Sequence, residues 1–146
     1  MVEIRKKKYS LNSSELMLNK KSIILFWCNN DGHSNPIRRD PRFFIILSGR
    51  KYNDGSKTFL AIPTTTSKEN FYSSSYGYQL DPDDFEGYCR DFYGSFVMCD
   101  RPCRIKSDDV CRDDEGNIKP RKPLILKHDT IVKIVEKIGD FILNSP

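Results

Sequence analysis

The feature that most constrains the fold is a series of short apolar runs, each ended by turn-forming residues. Isoleucine, phenylalanine and valine recur in these runs, and such residues favour β-strands. None of the runs is long enough to cross a membrane. The runs are Ser22–Cys28, Phe43–Leu47, Thr58–Ile62 and Ser95–Asp100, with a shorter one at Gly77–Leu80. We therefore predict a mainly β protein in which these runs are the strands.

The end of the chain has a different, helical period. Its apolar residues recur at intervals of three and four, so they share one face of a helix. They are Ile131, Ile134, Val135, Ile138, Phe141 and Ile142. Asp129 or Thr130 is expected to cap the start of this helix, because aspartate and threonine both favour that position. We predict that its apolar face packs on the sheet, which gives an α+β domain.

Length and composition favour a single domain that spans residues 1–146. The chain has 146 residues, of which 38% are hydrophobic and 30% charged, and such values are typical of a globular domain. Residues 1–20 are predicted to be a basic, partly mobile lead-in, and residues 21–143 a small barrel with the terminal helix. Asn53–Ser56 is typical of a tight turn, and residues 106–123 of an exposed loop.

The cysteine and histidine content argues against a disulfide framework and against a metal site. The five cysteines are an odd number at irregular spacing, unlike those of a secreted scaffold. Cys99 and Cys103 lack the second pair or nearby histidine that a zinc site needs. We expect reduced thiols, some of them buried, and no metal or cofactor. Since no apolar signal-peptide stretch follows the basic N-terminus, the expected location is the cytoplasm.

Several enzyme classes lack their sequence signatures in this chain. It has no glycine-rich phosphate loop, no dinucleotide fingerprint and no nucleophile elbow. Most carboxylates are bunched in segments such as Asp81–Asp84, which favours solvated turns over acid–base pairs. The net charge of +4 suits a polyanionic partner if the basic residues cluster, and it equally suits a mixed soluble surface.

Basic and hydroxyl-bearing residues stand at the ends of three predicted strands and could meet at one rim of the barrel. A long basic loop ends at Arg42, a threonine run follows the next strand, and Arg101 follows a later one. Arginine offers phosphate a forked, permanently charged donor set, and threonine adds a hydroxyl. The candidate residues are His33, Ser34, Arg38, Arg39, Arg42, Thr64, Thr65, Thr66 and Arg101.

The order of four segments is specific enough to compare with a known family. They are the strand Arg42–Ser48, the strand end Ile62–Thr66, the segment Ser95–Ile105 and the terminal amphipathic helix. In this order they resemble the MazF/PemK/Kid family of toxin ribonucleases, and the similarity covers roughly residues 20–143. Phe43 stands where the family usually has proline.

The resemblance implies a fold, an activity and partners. The fold is an SH3-like barrel with a C-terminal helix, and the protein would act as a homodimer. The activity is metal-independent, sequence-specific cleavage of single-stranded RNA, which leaves a 2′,3′-cyclic phosphate and a 5′-hydroxyl end. Arg42 and Thr65 stand at the positions of the family's catalytic residues. A cognate antitoxin would lay an extended acidic segment across the site.

Two questions stay open at the level of sequence. His33 could act as a general base, or it is an exposed turn residue. The related CcdB toxins share the barrel but poison DNA gyrase, and a barrel that binds nucleic acid or protein without catalysis is a further alternative. The combination of Arg42 with Thr65 favours the ribonuclease.

Overall fold

The computed structural model describes residues 22–28, 40–66, 76–87, 95–119 and 124–145. Within these ranges lie six strands, two α-helices and two single turns of 3-10 helix. The strands are β1 Ile23–Cys28, β2 Asp40–Ile46, β3 Thr58–Thr65, β4 Gly77–Gln79, β5 Phe96–Met98 and β6 Cys103–Lys106, and the α-helices are α1 Arg50–Ser56 and α2 His128–Asn144. The 3-10 turns are Pro82–Asp84 and Ser107–Asp109. No helix in the described ranges is long and apolar enough to cross a membrane.

All the strand pairs are antiparallel, and the sheet has the order β1-β2-β3-β5-β4 with β6 also paired to β3. Each apolar run that predicted a strand contains one, and β6 is an addition. β1 and β2 pair over their shared length, from Ile23 with Ile45 to Cys28 with Asp40. Cys28 and Asp40, the described residues on either side of residues 29–39, therefore lie side by side at one end of the sheet.

β3 is the central strand and changes partner along its length. One edge pairs with β2, while the other edge pairs first with β6 and then with β5. Pro63 lies between Ala61, which pairs with Cys103, and Thr65, which pairs with Phe96. Proline has no N–H to donate to a ladder, and here it falls at the change from one partner strand to the other.

Alternation along the strands produces an apolar layer on each face of the sheet. The helix-side core, which α2 covers, includes Ile23, Ile45, Ile62, Leu80, Val97, Ile131, Ile134 and Ile138. The barrel core on the other face includes Ile24, Phe26, Phe44, Ile46, Phe59, Ala61 and Ile105. Full burial of a side chain of this size stabilises the fold by about 1.5–3 kcal/mol. These two layers explain why the strand runs are apolar almost throughout rather than alternating with polar residues.

The turn predicted at Asn53–Ser56 is wrong, because these residues form the second half of α1. Asn53 is buried, and its side chain accepts a hydrogen bond from the Ser48 hydroxyl and donates one to the Ser48 carbonyl. The Ser48 hydroxyl accepts from the Leu60 N–H at 2.9 Å, which ties the helix to β3. Lys57 ends the helix in the left-handed conformation, with φ of 58°.

Helix α2 begins at His128, and neither residue that was predicted to cap it does so. Lys127 occupies the cap position without a side-chain hydrogen bond. Thr130 lies inside the helix and donates its hydroxyl to Asp84 Oδ1 at 2.8 Å, in the interior of the protein. The predicted capping hydroxyl is therefore used to attach the helix to the segment after β4.

Only part of the predicted apolar face of α2 is buried. Its buried members are Ile131, Ile134 and Ile138, and the ring of Phe141 packs against Tyr76 at 5.3 Å between centroids. Val135 and Ile142 are 50% and 65% exposed. With the exposed Val132 and Leu143 they form what we call the α2 apolar stripe.

The segment predicted as an exposed loop at residues 106–123 is partly buried where the structure describes it. Val110, Cys111 and Ile118 are buried. The Cys111 N–H donates to the Leu25 carbonyl at 2.8 Å, so this segment packs beside β1. The buried apolar residues of this segment stand among charged ones and recur at neither the strand nor the helix interval, so the sequence did not reveal their burial.

The described cysteines behave as the sequence predicts. Cys99, Cys103 and Cys111 are free thiols. Cys99 is fully buried in the helix-side core, and burial raises the pKa of its thiol to about 12. It serves as a small apolar core residue.

Candidate active site

Arg42 and Thr65 lie on neighbouring strands near the same end of the sheet. The paired residues of β2 and β3 include Phe44 with Pro63. Both strands extend beyond this pair, β2 back to Asp40 and β3 on to Thr65. When the same register is continued by two residues, Arg42 stands opposite Thr65. The sequence places these residues far apart, and the register of β2 and β3 points to their meeting at this end of the sheet.

The backbone hydrogen bonds of the sheet indicate whether Arg42 and Thr65 are a hydrogen-bonded or a non-hydrogen-bonded pair. The Leu47 N–H donates to the Leu60 carbonyl at 2.8 Å, so odd-numbered residues of β2 bond towards β3. Even-numbered residues such as Arg42 then bond towards β1, as Ile46 does to the Ser22 carbonyl, so in the continued register Arg42 and Thr65 are a non-hydrogen-bonded pair. Side chains are closest in such pairs, and Cβ atoms of directly opposite residues lie about 4.5–5.5 Å apart.

This pair belongs to a row of side chains that crosses five strands. Phe26 of β1 pairs with Arg42, Phe96 of β5 pairs with Thr65, and Gln79 of β4 pairs with Phe96. Residues that are directly paired across antiparallel strands share one face of the sheet. We call Phe26, Arg42, Thr65, Phe96 and Gln79 the cross-strand row.

The cross-strand row runs along the border between the barrel core and solvent. Phe26 and Phe96 are 0% and 3% exposed and flank the central pair with apolar surface. Arg42 and Thr65 are half-buried, and Gln79 is exposed. A guanidinium and a hydroxyl at such a border can bind an anion with less competition from water than on an open surface.

The other two threonines are placed differently from Thr65. Thr64 belongs to the opposite face of β3, is buried, and donates its hydroxyl to the Phe43 carbonyl at 3.1 Å. Its hydroxyl thus holds β2 and β3 together beside the Arg42 position. Thr66 follows the end of β3 and is exposed.

Arg101 follows the far end of β5. Phe96, a member of the cross-strand row, is the first residue of β5, and Met98 is the last. A turn comes next, in which the Arg101 N–H donates to the Met98 carbonyl at 3.0 Å. The Arg101 side chain is 52% exposed, and its Nε lies 3.9 Å from Oδ1 of Asp100. Arg101 therefore follows the end of β5 that is farther from Phe96, and its part in a site stays a prediction.

The remaining candidates, His33, Ser34, Arg38 and Arg39, lie outside the described residues, so their part in a site stays a prediction. The described residues that flank their segment, Cys28 and Asp40, are at the same end of the sheet as Arg42. No group of three or more histidine, cysteine, aspartate or glutamate side chains that could hold a metal occurs in the described parts of the chain.

Two members of the cross-strand row were not predicted from the sequence to be site residues. Phe96 was assigned to a strand but not to the site, and Gln79 was given no role. Neither belongs to a motif, and only the strand register reveals that they share a face with Arg42 and Thr65.

A buried polar cluster below β4 was also missed, because its carboxylate lies in an acidic segment predicted to be a solvated turn. Asp84 is 6% exposed, and its Oδ1 accepts from the Tyr78 hydroxyl at 2.9 Å and from the Thr130 hydroxyl at 2.8 Å. Its Oδ2 accepts from the Asp81 N–H at 2.9 Å. We call this cluster the Asp84 clasp. Burial, reinforced by the Asp84 carboxylate, raises the pKa of Tyr78 to about 12.

Solved structures provide the comparison with known proteins. A MazE–MazF complex from Deinococcus radiodurans matches 85% of this chain and 94% of its own, with a TM-score of 0.57 and 13% identity. An endoribonuclease bound to its cognate antitoxin, from a mycobacterial species, matches 87% of this chain and 97% of its own, with a TM-score of 0.53 and 15% identity. The chain has the MazF fold.

The MazF fold confirms the predicted fold class, a mainly β, SH3-like barrel with a C-terminal helix. An endoribonuclease from a mycobacterial species matches similarly, at 14% identity, a TM-score of 0.53 and 87% coverage of this chain. No protein-family model and no curated protein matches the chain. At such low identity the likeness establishes the architecture alone.

Proposed function

We propose that this protein is a MazF-like toxin that acts in the cytoplasm as a sequence-specific, metal-independent endoribonuclease on single-stranded RNA. The proposal rests on the register of β2 and β3, which, when continued two residues beyond the Phe44–Pro63 pair, sets the half-buried Arg42 opposite the half-buried Thr65. The MazF fold supports it further, since similar structures are described as endoribonucleases.

The proposed reaction is an internal transfer of the phosphodiester. The ribose 2′-oxygen attacks the adjacent phosphorus and loses its proton, while the bond from phosphorus to the 5′-oxygen breaks and that oxygen gains a proton. The products are a 2′,3′-cyclic phosphate and a 5′-hydroxyl end. Negative charge grows on the phosphoryl oxygens in the transition state, and donors that face these oxygens accelerate the reaction.

Arg42 and Thr65 have complementary parts in this step. The Arg42 guanidinium neutralises the growing charge and can donate two parallel hydrogen bonds to the phosphate. The Thr65 hydroxyl donates one more to a phosphoryl oxygen. Proton transfer from the 2′-hydroxyl needs a base, for which His33 is the candidate from sequence.

Cleavage of a long single-stranded RNA in the presence of EDTA tests the proposal. Wild-type protein should cut the RNA and leave 5′-hydroxyl ends. Thr65→Val keeps the shape but removes the donor, and loss of one such donor typically slows a reaction by about 10²–10³-fold. Thr65→Ser, which keeps the hydroxyl, should retain most of the activity. Arg42→Lys keeps the charge but not the forked donors, and it should be strongly impaired.

The alternatives give different results in the same experiment. Intact RNA together with stalled DNA gyrase would support a CcdB-like poison instead. Intact RNA that is nevertheless bound would support a barrel without catalysis. Equal cutting by wild-type protein, Thr65→Val and Arg42→Lys would show that the cleavage does not depend on Arg42 and Thr65, and the proposed site would be wrong.

We further propose a cognate antitoxin and a homodimeric state. The similar structures include a MazE–MazF complex and an endoribonuclease in complex with its cognate antitoxin. The net charge of +4 suits an acidic, extended antitoxin segment laid across the cross-strand row. The α2 apolar stripe offers a surface for a second copy of the chain.

A further inference from the structure

Gln79 ends the cross-strand row on β4, two strands away from Thr65. We propose that its side-chain amide reads the base of a nucleotide next to the cleaved phosphodiester. This inference rests on the proposed ribonuclease function, and it assigns part of the sequence preference to one residue. Neighbouring strands are about 4.8 Å apart, so Gln79 lies about 10 Å from Thr65 across the sheet.

The register aims the Gln79 side chain at the same face as the Arg42–Thr65 pair. The Leu80 N–H donates to the Ser95 carbonyl at 2.8 Å, so Leu80 bonds towards β5. Its neighbour Gln79 therefore forms a non-hydrogen-bonded pair with Phe96, the kind in which side chains approach most closely. The buried Phe96 ring fills the space between Gln79 and Thr65 with apolar surface.

The Gln79 side chain is also available to bind a ligand. It is exposed, and no hydrogen bond engages its amide in the structure of the described segments. An amide in this state already has its donors and acceptor directed to solvent, and binding need not break an internal contact. By contrast, the Thr64 hydroxyl is already bound to the Phe43 carbonyl.

The backbone that carries Gln79 is fixed by the Asp84 clasp. Tyr78 and Leu80 flank Gln79: the Tyr78 hydroxyl donates to Asp84, and Leu80 is fully buried. Thr130 of α2 donates to the same carboxylate oxygen, which joins β4 to the helix. The exposed amide is thus mounted on a rigid support, as a site that discriminates between bases requires.

The chemistry of the amide suits a base better than a phosphate. A glutamine side chain is neutral, so it offers a phosphate no charge attraction, whereas it has one acceptor and two donors for the mixed edge of a base. Proteins that recognise single-stranded RNA form hydrogen bonds with such exposed base edges. A donor–acceptor pair to one base discriminates against the wrong base by about tenfold or more.

The test compares wild-type protein with Gln79→Leu, which keeps the size of the side chain but removes its hydrogen bonds, and Gln79→Glu, which keeps only acceptors. A pool of single-stranded RNA of random sequence is cleaved in EDTA, and the base at each position around the 5′-hydroxyl ends is determined. We expect the preference at one position to fall about tenfold in both variants, with the others unchanged. Glu136→Gln, on the exposed side of α2, serves as the control.

A second readout separates this inference from the proposed function. Binding of 2′-O-methyl RNA oligonucleotides, which cannot be cleaved, is measured with each base at the affected position. Unchanged base preferences for cleavage and for binding in Gln79→Leu would overturn the assignment of Gln79 while the ribonuclease stands. A base preference in binding that depends on Gln79, without cleavage by the wild type, would overturn only the nuclease. A protein that neither binds nor cleaves would overturn both.

Discussion

At the scale of single residues, Tyr78 shows how burial in the Asp84 clasp changes an ionisable group. Burial, and then the hydrogen bond to Asp84, raises the pKa of Tyr78 from 10.0 to about 12. The folded state therefore retains the phenolic proton more strongly than the unfolded state does. The resulting stability is complete below pH 10 and is lost as the pH rises through 12.

The upward shift of the Tyr78 pKa leads to a prediction about stability at high pH. In Tyr78→Phe, the free energy of unfolding should fall less steeply between about pH 10 and 12 than in the wild type, when both are measured by urea denaturation. At neutral pH the variant should be about 1 kcal/mol less stable, because one hydrogen bond is lost.

The control is Tyr52→Phe. A hydrogen bond with Thr58 lowers the pKa of Tyr52, so removing this group cannot make the fall shallower. Equally steep curves for Tyr78→Phe and wild type would contradict the account.

Single residues also define what could be recognised from sequence in the site. Arg42 and Thr65 were identified because an arginine and a threonine at strand ends suit a phosphate and match the order of segments in a known family. Gln79 and Phe96 could not be identified in this way, because their membership of the site depends on the register of β4 and β5. Register is a property of paired strands and is not visible in one strand alone.

At the scale of elements, the Asp84 clasp attaches α2 to the short strand β4. One buried carboxylate accepts two hydroxyl groups and a backbone N–H. Asp84→Ala would leave the Tyr78 and Thr130 hydroxyls without their partner. Since a buried donor without a partner costs about 1–3 kcal/mol, we predict that this variant loses about 2–4 kcal/mol of the free energy of unfolding.

The neighbouring residue provides a matched control for that prediction. Asp83 is exposed in the same 3-10 turn, and Asp83→Ala should change the free energy of unfolding by less than about 0.5 kcal/mol. Chemical denaturation of the three proteins at pH 7 gives the comparison. A loss in Asp83→Ala as large as that in Asp84→Ala would mean that the turn, rather than the carboxylate, provides the stability.

The elements differ in how far the sequence determines them. β1, β2 and β3 were predicted because each is a compact run of strand-forming residues that end at turn residues. Helix α1 was not predicted, because Asn53 and Gly55 favour a turn unless a tertiary contact intervenes. That contact is the pair of hydrogen bonds between Asn53 and Ser48, whose hydroxyl also accepts from the Leu60 N–H of β3.

At the scale of the whole molecule, the α2 apolar stripe lies away from the helix-side core and carries a prediction about assembly. Val135 is 50% exposed and Ile142 65%. We predict that the wild type sediments with twice the mass of the 17.0 kDa chain. Val135→Asp combined with Ile142→Asp should shift it towards the monomer, since a charge in an apolar interface is strongly unfavourable.

The same measurement on Lys133→Glu provides the comparison for that assembly prediction. Lys133 is exposed on α2 and is not three or four residues from any member of the stripe, so the variant should keep the mass of the wild type. A wild-type protein that sediments as a monomer at high concentration would contradict the proposed homodimer, and the stripe would then need another explanation.

The arrangement of strands in the whole sheet also determines which predicted site residues meet. Sequence order indicated three strand ends at one rim, and the register of β2 and β3 supports this for two of them, at Arg42 and Thr65. Arg101 leaves β5 at the other end, because β5 begins beside Thr65 and runs away from it. The direction in which β5 runs within the sheet determines the end at which Arg101 follows it. The apolar pattern of a strand does not reveal that direction.

The central claim is that Arg42 and Thr65 act together on one phosphate, and a double-mutant cycle tests it most directly. Rates of RNA cleavage are measured for wild type, Arg42→Ala, Thr65→Val and the double variant. Groups that act as a unit are strongly non-additive. We predict that the double variant is scarcely slower than the slower single variant. If instead the two losses multiply in full, the side chains act independently, and the shared site does not exist.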